Sequence, residues 1–497
     1  MNLELAYSRP QGTANALGEV AHDRHRFLTK SVLLTGETPV LLTQNGNCCF
    51  LDSIRLLVRI CPNVTVAIPP ACARLREAAG MVAQRVAFGK EIVFLDESLD
   101  FAGYHAILSV GSGVRPDLPW TAVNSNGWIA RVSSGDKQLP STCDVHNPIG
   151  ALAAACLGAG DVFKRLIGLR PERGELLNGL MYSLREYREI ACEDYGPAMP
   201  EDLRGDILVV GAGAIGNGLA HLIAQLPFRS RISIVDSQAY GTENLGTCIL
   251  IGPGDLQKPK AEVLAEHLEQ AIKNARGFHM PFEQFANETS NIPAIVINGL
   301  DDIDVRHEVQ RRLWPDMIID GAIGDFTCQV SRHPWPDDVA CLICLFRRAD
   351  AERSEDIQSK ATGLSIAALH APAALVTQVD VDNAPAQKQE FLRSRIGRPV
   401  CSVIQEGIAH EISLEEQQDE FQPSVPFVAC FSACMVISEA VAHICGWPSV
   451  LAPRYQFDFL TGPAYGQELS QGRRIDCICT RRKNIEAVRA AHRIQRD

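Results

Sequence analysis

The stretch from Asp206 to Asp236 constrains the fold of this chain more than any other. It opens with the apolar run Ile207–Val210, which is followed at once by the glycine-rich turn 211–216 and by a helical pattern. A second apolar run, 231–235, ends on Asp236. This order of strand, glycine turn, helix, strand and acid is the nucleotide-binding fingerprint in its proper context. We therefore predict an α/β, Rossmann-like fold around this stretch.

Three glycines and one acid of this stretch are candidate nucleotide ligands. Gly211, Gly213 and Gly216 permit a tight turn and bring backbone N–H groups close to a phosphate at a helix N-terminus. Asp236 stands at the end of the second strand, where a carboxylate can accept hydrogen bonds from ribose hydroxyls. A tight structural turn without a ligand is the alternative.

Four residues farther along the chain favour ATP over NAD. A dehydrogenase needs no lysine on the phosphates, whereas charge that develops at an α-phosphate needs cations and donors such as Asn244 and Lys260. Asp301 follows the strand 294–298 at the edge of the same crevice and could hold Mg²⁺. Arg306, in the next helix, could bind a phosphate bidentately. The alternatives are a solvated helix residue for Lys260, a helix cap for Asp301 and a surface ion pair for Arg306.

Bulk composition limits the class of protein. A chain of 497 residues is long enough for two or more domains. Its net charge of −12 disfavours a nucleic-acid partner. No apolar run approaches the ~20 residues that span a bilayer, and the N-terminus lacks the pattern of a signal peptide. We therefore expect a cytoplasmic protein, without a membrane partner, whose cysteines are mostly reduced.

The two halves of the chain share an internal echo. Strands and helices alternate before residue 170, which predicts a mostly parallel sheet with flanking helices. A shift of 278 residues pairs Pro148 with Pro426 and Cys156 with Cys434. Two alanine-rich helices can look alike by chance; the alternative is two diverged copies of one domain. The first copy has the sequence 43–48 where a glycine fingerprint would stand, so we expect it to be a structural partner.

At this point the chain resembles the ubiquitin-activating enzymes and their bacterial relatives, the ThiF/MoeB adenylyltransferases. The resemblance rests on five residues at matching spacings and on the segment 316–324: Asp236, Asn244, Lys260, Asp301 and Arg306. It implies two tandem ThiF-like domains, the first degenerate, which would pair within the chain as a pseudodimer. The implied bounds are an inactive domain 1–180, a linker 181–204, an active domain 205–480 with a crossover loop, and a basic tail 481–497.

The resemblance also implies an activity. The layout is most similar to the activating component of bacterial ubiquitin-like operons, which serve antiphage defence. Such an enzyme uses ATP and Mg²⁺ to adenylate the C-terminus of a ubiquitin-like protein, captures it as a cysteine thioester and passes it to a conjugating enzyme. The implied roles are phosphate binding for the glycine turn, Asn244, Lys260 and Arg306, ribose binding for Asp236 and metal binding for Asp301. The alternatives are a sulfur-carrier adenylyltransferase for cofactor biosynthesis and a nucleotide-binding scaffold without turnover.

One residue departs from the family pattern. The family usually carries Asn-Leu-x-Arg after the ribose acid, and here Thr247 stands in the arginine position. Either another arginine substitutes, such as Arg24 or Arg26 from the first half, or ATP binding is weak.

Five cysteines are candidate functional residues. Cys341 and Cys344 have metal-knuckle spacing, and the resemblance pairs them with Cys477 and Cys479, which are one residue too close for the usual Cys-x-x-Cys. The implied structural Zn²⁺ has buried thiols as its alternative. Cys401 lies in the region of the crossover loop, near two arginines that would lower a thiol pKa, and the resemblance makes it the catalytic nucleophile. An ordinary loop cysteine is the alternative.

Overall fold

The structure is a computed structural model. It describes residues 3–17, 28–96, 100–141, 144–191, 194–289, 293–300, 302–324, 326–335, 339–346, 359–369, 374–398, 400, 403, 424–449, 454–469 and 472–494.

The first half folds around an 8-stranded sheet in the order β3-β2-β1-β4-β5-β6-β7-β8. Strands β1 to β5 pair in parallel and the remaining pairs are antiparallel. The strands are β1 Val32–Gly36, β2 Val64–Ala67, β3 Val93–Leu95, β4 Ala106–Val110, β5 Trp120–Asn126, β6 Ile129–Ser133, β7 Asn178–Ser183 and β8 Arg188–Glu189. The helices are α1 Leu3–Ala6, α2 Ser8–Leu17, α3 Thr38–Leu41, α4 Gln44–Ile60, α5 Ala73–Val86 and α6 Pro148–Ile167.

The second half folds around another 8-stranded sheet in the order β11-β10-β9-β12-β13-β14-β15-β16. The strands are β9 Ile207–Val210, β10 Ile232–Val235, β11 Ala275–Phe278, β12 Ile295–Asn298, β13 Met317–Gly324, β14 Thr327–Pro334, β15 Arg454–Asp458 and β16 Gly462–Leu469. The helices around it are α7 Ala214–Gln225, α8 Lys260–Glu269, α9 Phe282–Glu288, α10 Ile303–Arg312, α11 Leu342–Leu345, α15 Pro426–Ile444 and α16 Arg482–Ile494.

The two sheets have the same topology. Numbering the second set of strands from its own first strand gives the order of the first sheet, including the change from parallel to antiparallel pairing. The echo helices also correspond, because α6 joins the sixth and seventh strands of its sheet and α15 joins the same two strands of the other. The predicted α/β fold with two tandem Rossmann-like copies is confirmed. The exact domain bounds stay a prediction.

The two copies share one hydrophobic core. Helices α6 and α15 pack against each other, and α15 also packs on α7 and on β13 and β14. Aromatic side chains extend this contact, with ring centroids 5.8 Å apart for Phe163 and Phe427 and 5.1 Å apart for Tyr182 and Phe457. Small residues let the helices approach: a Cβ added at Gly218 would lie 2.8 Å from that of Ala433. The copies therefore form one folded body.

Residues 346–422 form a second compact unit. Its described helices are α12 Ile366–Leu369, α13 Gln378–Asn383 and α14 Ala386–Arg393. They enclose a core of their own, which contains Leu364, Leu369, Val376, Val381, Ala384, Leu392, Val400 and Val403.

The expectation that no apolar run approaches the length of a bilayer span differs from the structure, because among the described residues one helix, α15, is long and apolar enough by length and composition. Because 89% of its most apolar window is buried inside the protein, it matches the core helix of a folded domain.

Two segments differ from the prediction. The apolar spacing of residues 258–275 predicts one long amphipathic helix, but α8 is Lys260–Glu269 and Ala275–Phe278 forms β11. Pairing of this segment with β10 outweighs its helical spacing. The predicted linker 181–204 overlaps the end of β7 and contains β8, because this hairpin completes the antiparallel edge of the first sheet.

Candidate nucleotide and metal sites

The glycine turn lies between β9 and α7. Gly211 has φ +96°, and a Cβ added at Gly216 would lie 2.4 Å from the Gly211 carbonyl oxygen, so neither position accommodates a larger residue. A Cβ at Gly213 would meet no atom of the described residues within 4 Å. Gly213 caps α7, so the open space lies at a helix N-terminus, where N–H groups and the helix dipole favour an anion.

Asp236 closes this turn. Its two carboxylate oxygens accept hydrogen bonds from the backbone N–H groups of Ala212 (2.7 Å) and Gln238 (2.8 Å). A carboxylate has about four acceptor positions, so it can also accept from a ribose. Asp236 thus has a structural role that the sequence did not predict, and its ribose role stays a prediction.

Lys260 is the first residue of α8 and is only 7% exposed. Its Nζ donates to Oε1 of Gln238 at 2.7 Å and lies 5.9 Å from the ring centroid of Tyr240. Within the described part of the chain it forms no salt bridge. A buried ammonium is costly without a compensating charge, and two of its three donors remain available. This environment differs from that of a solvated helix residue and favours an anionic ligand.

Asn244 and Thr247 belong to one short segment, the 3₁₀ helix Thr242–Gly246 and the residue after it. Oδ1 of Asn244 accepts from the Gly241 N–H at 2.9 Å, which leaves its amide N–H₂ group to donate. Thr247 is fully buried, and its hydroxyl donates to the Asn244 carbonyl oxygen at 3.4 Å. The residue in the arginine position is therefore part of the interior.

Arg9, in α2 of the first half, lies near this segment. The first two helices contact the 3₁₀ helix, and a Cβ added at Gly246 would lie 2.4 Å from the Ala6 carbonyl oxygen and 3.3 Å from Cδ of Pro10. Burial raises the pKa of the Cys248 thiol, and the positive charges of Lys260 and Arg9 act against this rise. Arg24 and Arg26 lie outside the described residues. Arg9 was not predicted, because residues 1–30 show no pattern that indicates a site.

Arg306 is tied to Asp320 at the carboxyl end of the sheet. Its Nε donates to Asp320 at 3.1 Å and its Nη2 to the Gly321 carbonyl oxygen at 3.4 Å, while Asn298 donates to the same carboxylate. Burial raises the pKa of Asp320 to about 6, although the adjacent Arg306 opposes the rise. A buried ion pair thus replaces the surface pair considered from the sequence. A phosphate contact by Arg306 stays a prediction.

Two predicted residues lie outside the described residues: Asp301, the proposed Mg²⁺ ligand, and Cys401, the proposed nucleophile. Their neighbours on the chain are described in part. Val400 and Val403, on either side of Cys401, are buried in the core of the second compact unit.

Four cysteines come together as the sequence predicted. The Sγ atoms of Cys341, Cys344, Cys477 and Cys479 all lie within 4.8 Å of one another, and the pairs 341–477 and 344–479 are 3.6 Å apart. Zinc–sulfur bonds of about 2.3 Å in a tetrahedron place sulfurs ~3.8 Å apart, so the group fits a structural Zn²⁺. Hydrogen bonds from neighbouring thiols, first Cys341 and then Cys479, lower the pKa of Cys344 and favour its thiolate.

The short spacing of the second cysteine pair does not prevent this arrangement. Cys477 precedes and Cys479 lies inside a 3₁₀ helix, Ile478–Thr480. The backbone N–H of Arg474 also donates to Sγ of Cys344 at 3.3 Å. All fourteen cysteines that the structure describes are free of disulfide bonds.

Comparison with protein families matches residues 187–477, more than half of the chain, to the ThiF family. The chain belongs to the ThiF family. This match covers the glycine turn, the segment around Asn244 and Lys260, and three of the four clustered cysteines. It supports a ThiF/E1-like, adenylyltransferase-type protein.

Two similar proteins differ in how much of this ThiF family chain they cover. An uncharacterized protein, y4jF of Sinorhizobium fredii, is 27% identical over 96% of this chain and 95% of its own length. The NEDD8-activating enzyme E1 catalytic subunit of Caenorhabditis elegans is 31% identical over 132 residues, which are 26% of this chain and 30% of that protein.

Solved structures of Escherichia coli MccB also match. The structure with MccA-N7isoASN has a TM-score of 0.37 and 13% identity over 56% of this chain and 67% of its own. The structure with ATP has a TM-score of 0.35 and 12% identity over 56% of this chain and 66% of its own. Likeness at this level adds nothing to the family assignment.

Proposed function

We propose that this protein uses ATP to adenylate the C-terminal carboxylate of a ubiquitin-like protein. The observation that carries the proposal is the ammonium of Lys260, which is buried without a carboxylate partner among the described residues. It donates to Gln238, whose backbone N–H donates to the Asp236 carboxylate that closes the glycine turn. Membership of the ThiF family supports the same chemistry.

The reaction is a displacement at phosphorus. A carboxylate oxygen of the carrier attacks the α-phosphorus, the bond from that phosphorus to the bridging oxygen of the β-phosphate breaks, and pyrophosphate leaves with the electron pair. Negative charge develops on the phosphate oxygens, and N–H donors at the start of α7 together with Lys260 would stabilise it. Arg9 would supply the cation that Thr247 does not. Asp236 would hold the ribose.

Two metal ions belong to the proposal. Asp301 would hold Mg²⁺, which supplies charge neutralisation on the phosphates when bound. The four clustered cysteines would hold a Zn²⁺ that has no open coordination position and is therefore structural.

The second step would transfer the acyl group to Cys401. The thiolate would attack the acyl carbon, the bond from that carbon to the AMP oxygen would break, and AMP would leave. The thioester would then pass to a conjugating enzyme. The setting that we propose, bacterial antiphage defence, rests on the resemblance of the domain layout alone.

One observation favours a second candidate, a nucleotide-binding scaffold without turnover. Thr247 is buried where the family pattern has an arginine, so one cation of that segment is missing. Tight ATP binding without pyrophosphate exchange would identify the scaffold.

The direct test is exchange of labelled pyrophosphate into ATP, with ubiquitin-like proteins encoded near this gene as carriers. We expect exchange that depends on the carrier and on its free C-terminus. Absence of exchange with every such carrier would contradict the proposal. Intact mass spectrometry separates the outcomes further, since a thioester on the enzyme supports conjugation and a thiocarboxylated carrier supports sulfur transfer.

A further inference from the structure

Arg59 is a fully buried arginine of the first half that bonds to the second half. It lies near the end of α4, and its side chain has 0% exposure. Nε donates to the Cys248 carbonyl oxygen and Nη2 to the Ile251 carbonyl oxygen, both at 2.8 Å, while Nη1 donates to the Arg55 carbonyl oxygen at 2.7 Å. The guanidinium therefore holds the backbone that directly follows the segment 242–247, which contains Asn244.

No carboxylate among the described residues pairs with Arg59. Burial is the main cause that lowers the pKa of its guanidinium to about 9; the neighbouring Cys248 opposes this change and the charge of Arg55 adds to it. A buried, unneutralised cation does not by itself favour folding. Its two bonds to the carbonyl oxygens of Cys248 and Ile251 instead specify one position for the segment 248–251, which suggests a role in geometry.

A second arginine of the first half binds the same segment. Nε of Arg85, in α5, donates to the Leu250 carbonyl oxygen at 3.3 Å, and its Nη2 lies 3.8 Å from Asp255. A Cβ added at Gly252 would lie 1.9 Å from the Arg85 carbonyl oxygen. Arginines of the first half thus hold the carbonyl oxygens of residues 248, 250 and 251, and the backbone packs closely at residue 252.

A short chain of hydrogen bonds joins this segment to the glycine turn. The Leu250 N–H donates to Oδ1 of Asn217 at 3.2 Å, and Nδ2 of Asn217 donates to the Gly213 carbonyl oxygen at 2.9 Å and to the Tyr240 hydroxyl at 2.9 Å. The Tyr240 hydroxyl in turn donates to the Ala212 carbonyl oxygen at 3.1 Å. At the other end of the segment, the Cys248 N–H donates to the Asn244 carbonyl oxygen at 2.8 Å.

We propose that Arg59 is a positioning residue for the nucleotide site of the second half, acting through the segment 248–251 on Asn244 and on the glycine turn. The inference rests on the proposed function. It gives the first copy a task beyond scaffolding, because a displacement of about 1 Å at such donors is enough to weaken binding and catalysis strongly.

The test compares Arg59→Met with a matched variant, Arg131→Met. Arg131 is also fully buried and also donates to carbonyl oxygens, those of Pro140 and Ser141, but these lie within the first half. The dissociation constant of ATP is measured by calorimetry on the full chain, below the unfolding transition of both variants. We expect about a tenfold increase for Arg59→Met and less than about twofold for Arg131→Met.

Arg85→Gln is a milder second variant in case Arg59→Met does not fold, since the Arg85 side chain is 47% exposed. We expect it to raise the ATP dissociation constant about twofold to threefold. Unchanged ATP affinity in the variants of Arg59 and Arg85, or an equal loss in Arg131→Met, would overturn the inference while the proposed function stands. A wild-type chain that binds no ATP would instead contradict the proposed function, and the inference with it.

Discussion

The N-termini of helices α7 and α4 stand at equivalent places in the two copies but face different surroundings. At α7 the turn is three residues long, and the space beside Gly213 is open. At α4 the carboxylate of Asp144 accepts the N–H groups of Gln44 and Asn45 at 3.0 and 3.1 Å. Glu37, directly after β1, accepts from Ser112 and Gly113 at 3.1 and 2.6 Å.

The difference shows how one fold can have a candidate nucleotide site in one copy and lack its open helix N-terminus in the other. Carboxylates of the chain itself take the N–H donors that would meet a phosphate at the first copy. The turn of the first copy is also longer and contains helix α3, whose Leu41 would contact a Cβ added at Gly36. The first copy keeps the order of the strands but not the short, open glycine turn that could hold a phosphate.

The largest effect is expected for Lys260→Ala. Removing the buried ammonium should reduce pyrophosphate exchange by about 100-fold or more, because it stabilises charge that develops on the phosphates. Lys258→Ala is the matched control, since Lys258 is 51% exposed and lies 3.5 Å from Asp255. Pyrophosphate exchange that survives in Lys260→Ala, or falls equally in Lys258→Ala, would show that the buried ammonium of Lys260 does not mark the second copy as the nucleotide site.

Metal removal should affect the second copy. We expect the protein to contain one zinc per chain and Cys341→Ser or a strong chelator to lower its thermal stability, because a structural zinc contributes directly to folding. Hydrogen exchange should rise first around residues 472–480, which carry two of the sulfurs. Full stability in metal-free protein would show that the four thiols pack without an ion.

Substitutions at Gly213 and Gly216 should separate the effect of the turn on ATP binding from its effect on folding. Gly216→Ala places a methyl group against the Gly211 carbonyl oxygen and should cost about 1–3 kcal/mol of folding free energy. Gly213→Ala should leave the thermal transition near that of wild type but weaken ATP binding, since the methyl group enters the open space. Denaturation and calorimetry on both variants test this, and an unfolded Gly213→Ala would contradict it.

The smallest effect is expected for Asp144→Ala. Losing a carboxylate that caps α4 should cost about 0.5–2 kcal/mol, as for other helix N-caps, measured by urea denaturation. The neighbouring insertion around α3 remains, so the variant should bind no second nucleotide. Gain of a second ATP would show that Asp144 alone closes the first copy.

The sequence predicted most of the second copy because its signals are local. The glycine turn, Asp236, Asn244 and Lys260 follow one another along the chain between the end of β9 and the start of α8, and their spacing predicts that they lie at one sheet edge. The hydrogen bonds of Arg59 and Asp144 join residues about 100 or more positions apart, and the charge of Arg9 acts on Cys248 of the other copy. No periodicity of the sequence indicates such long-range contacts. The prediction of a helix to residue 275 was wrong for a similar reason, because pairing of the strand Ala275–Phe278 with β10 outweighs the local helical spacing.

The most direct test of a single nucleotide site, located in the second copy, is the stoichiometry of ATP binding in two charge variants. Gly213→Glu places a negative charge in the open space of the second copy, and Gln44→Glu places one at the start of α4 in the first copy. Calorimetry with a non-hydrolysable ATP analogue should give one site per chain for wild type and for Gln44→Glu, and none for Gly213→Glu. Two sites in wild type, or one site that is lost in Gln44→Glu and kept in Gly213→Glu, would contradict a single nucleotide site in the second copy.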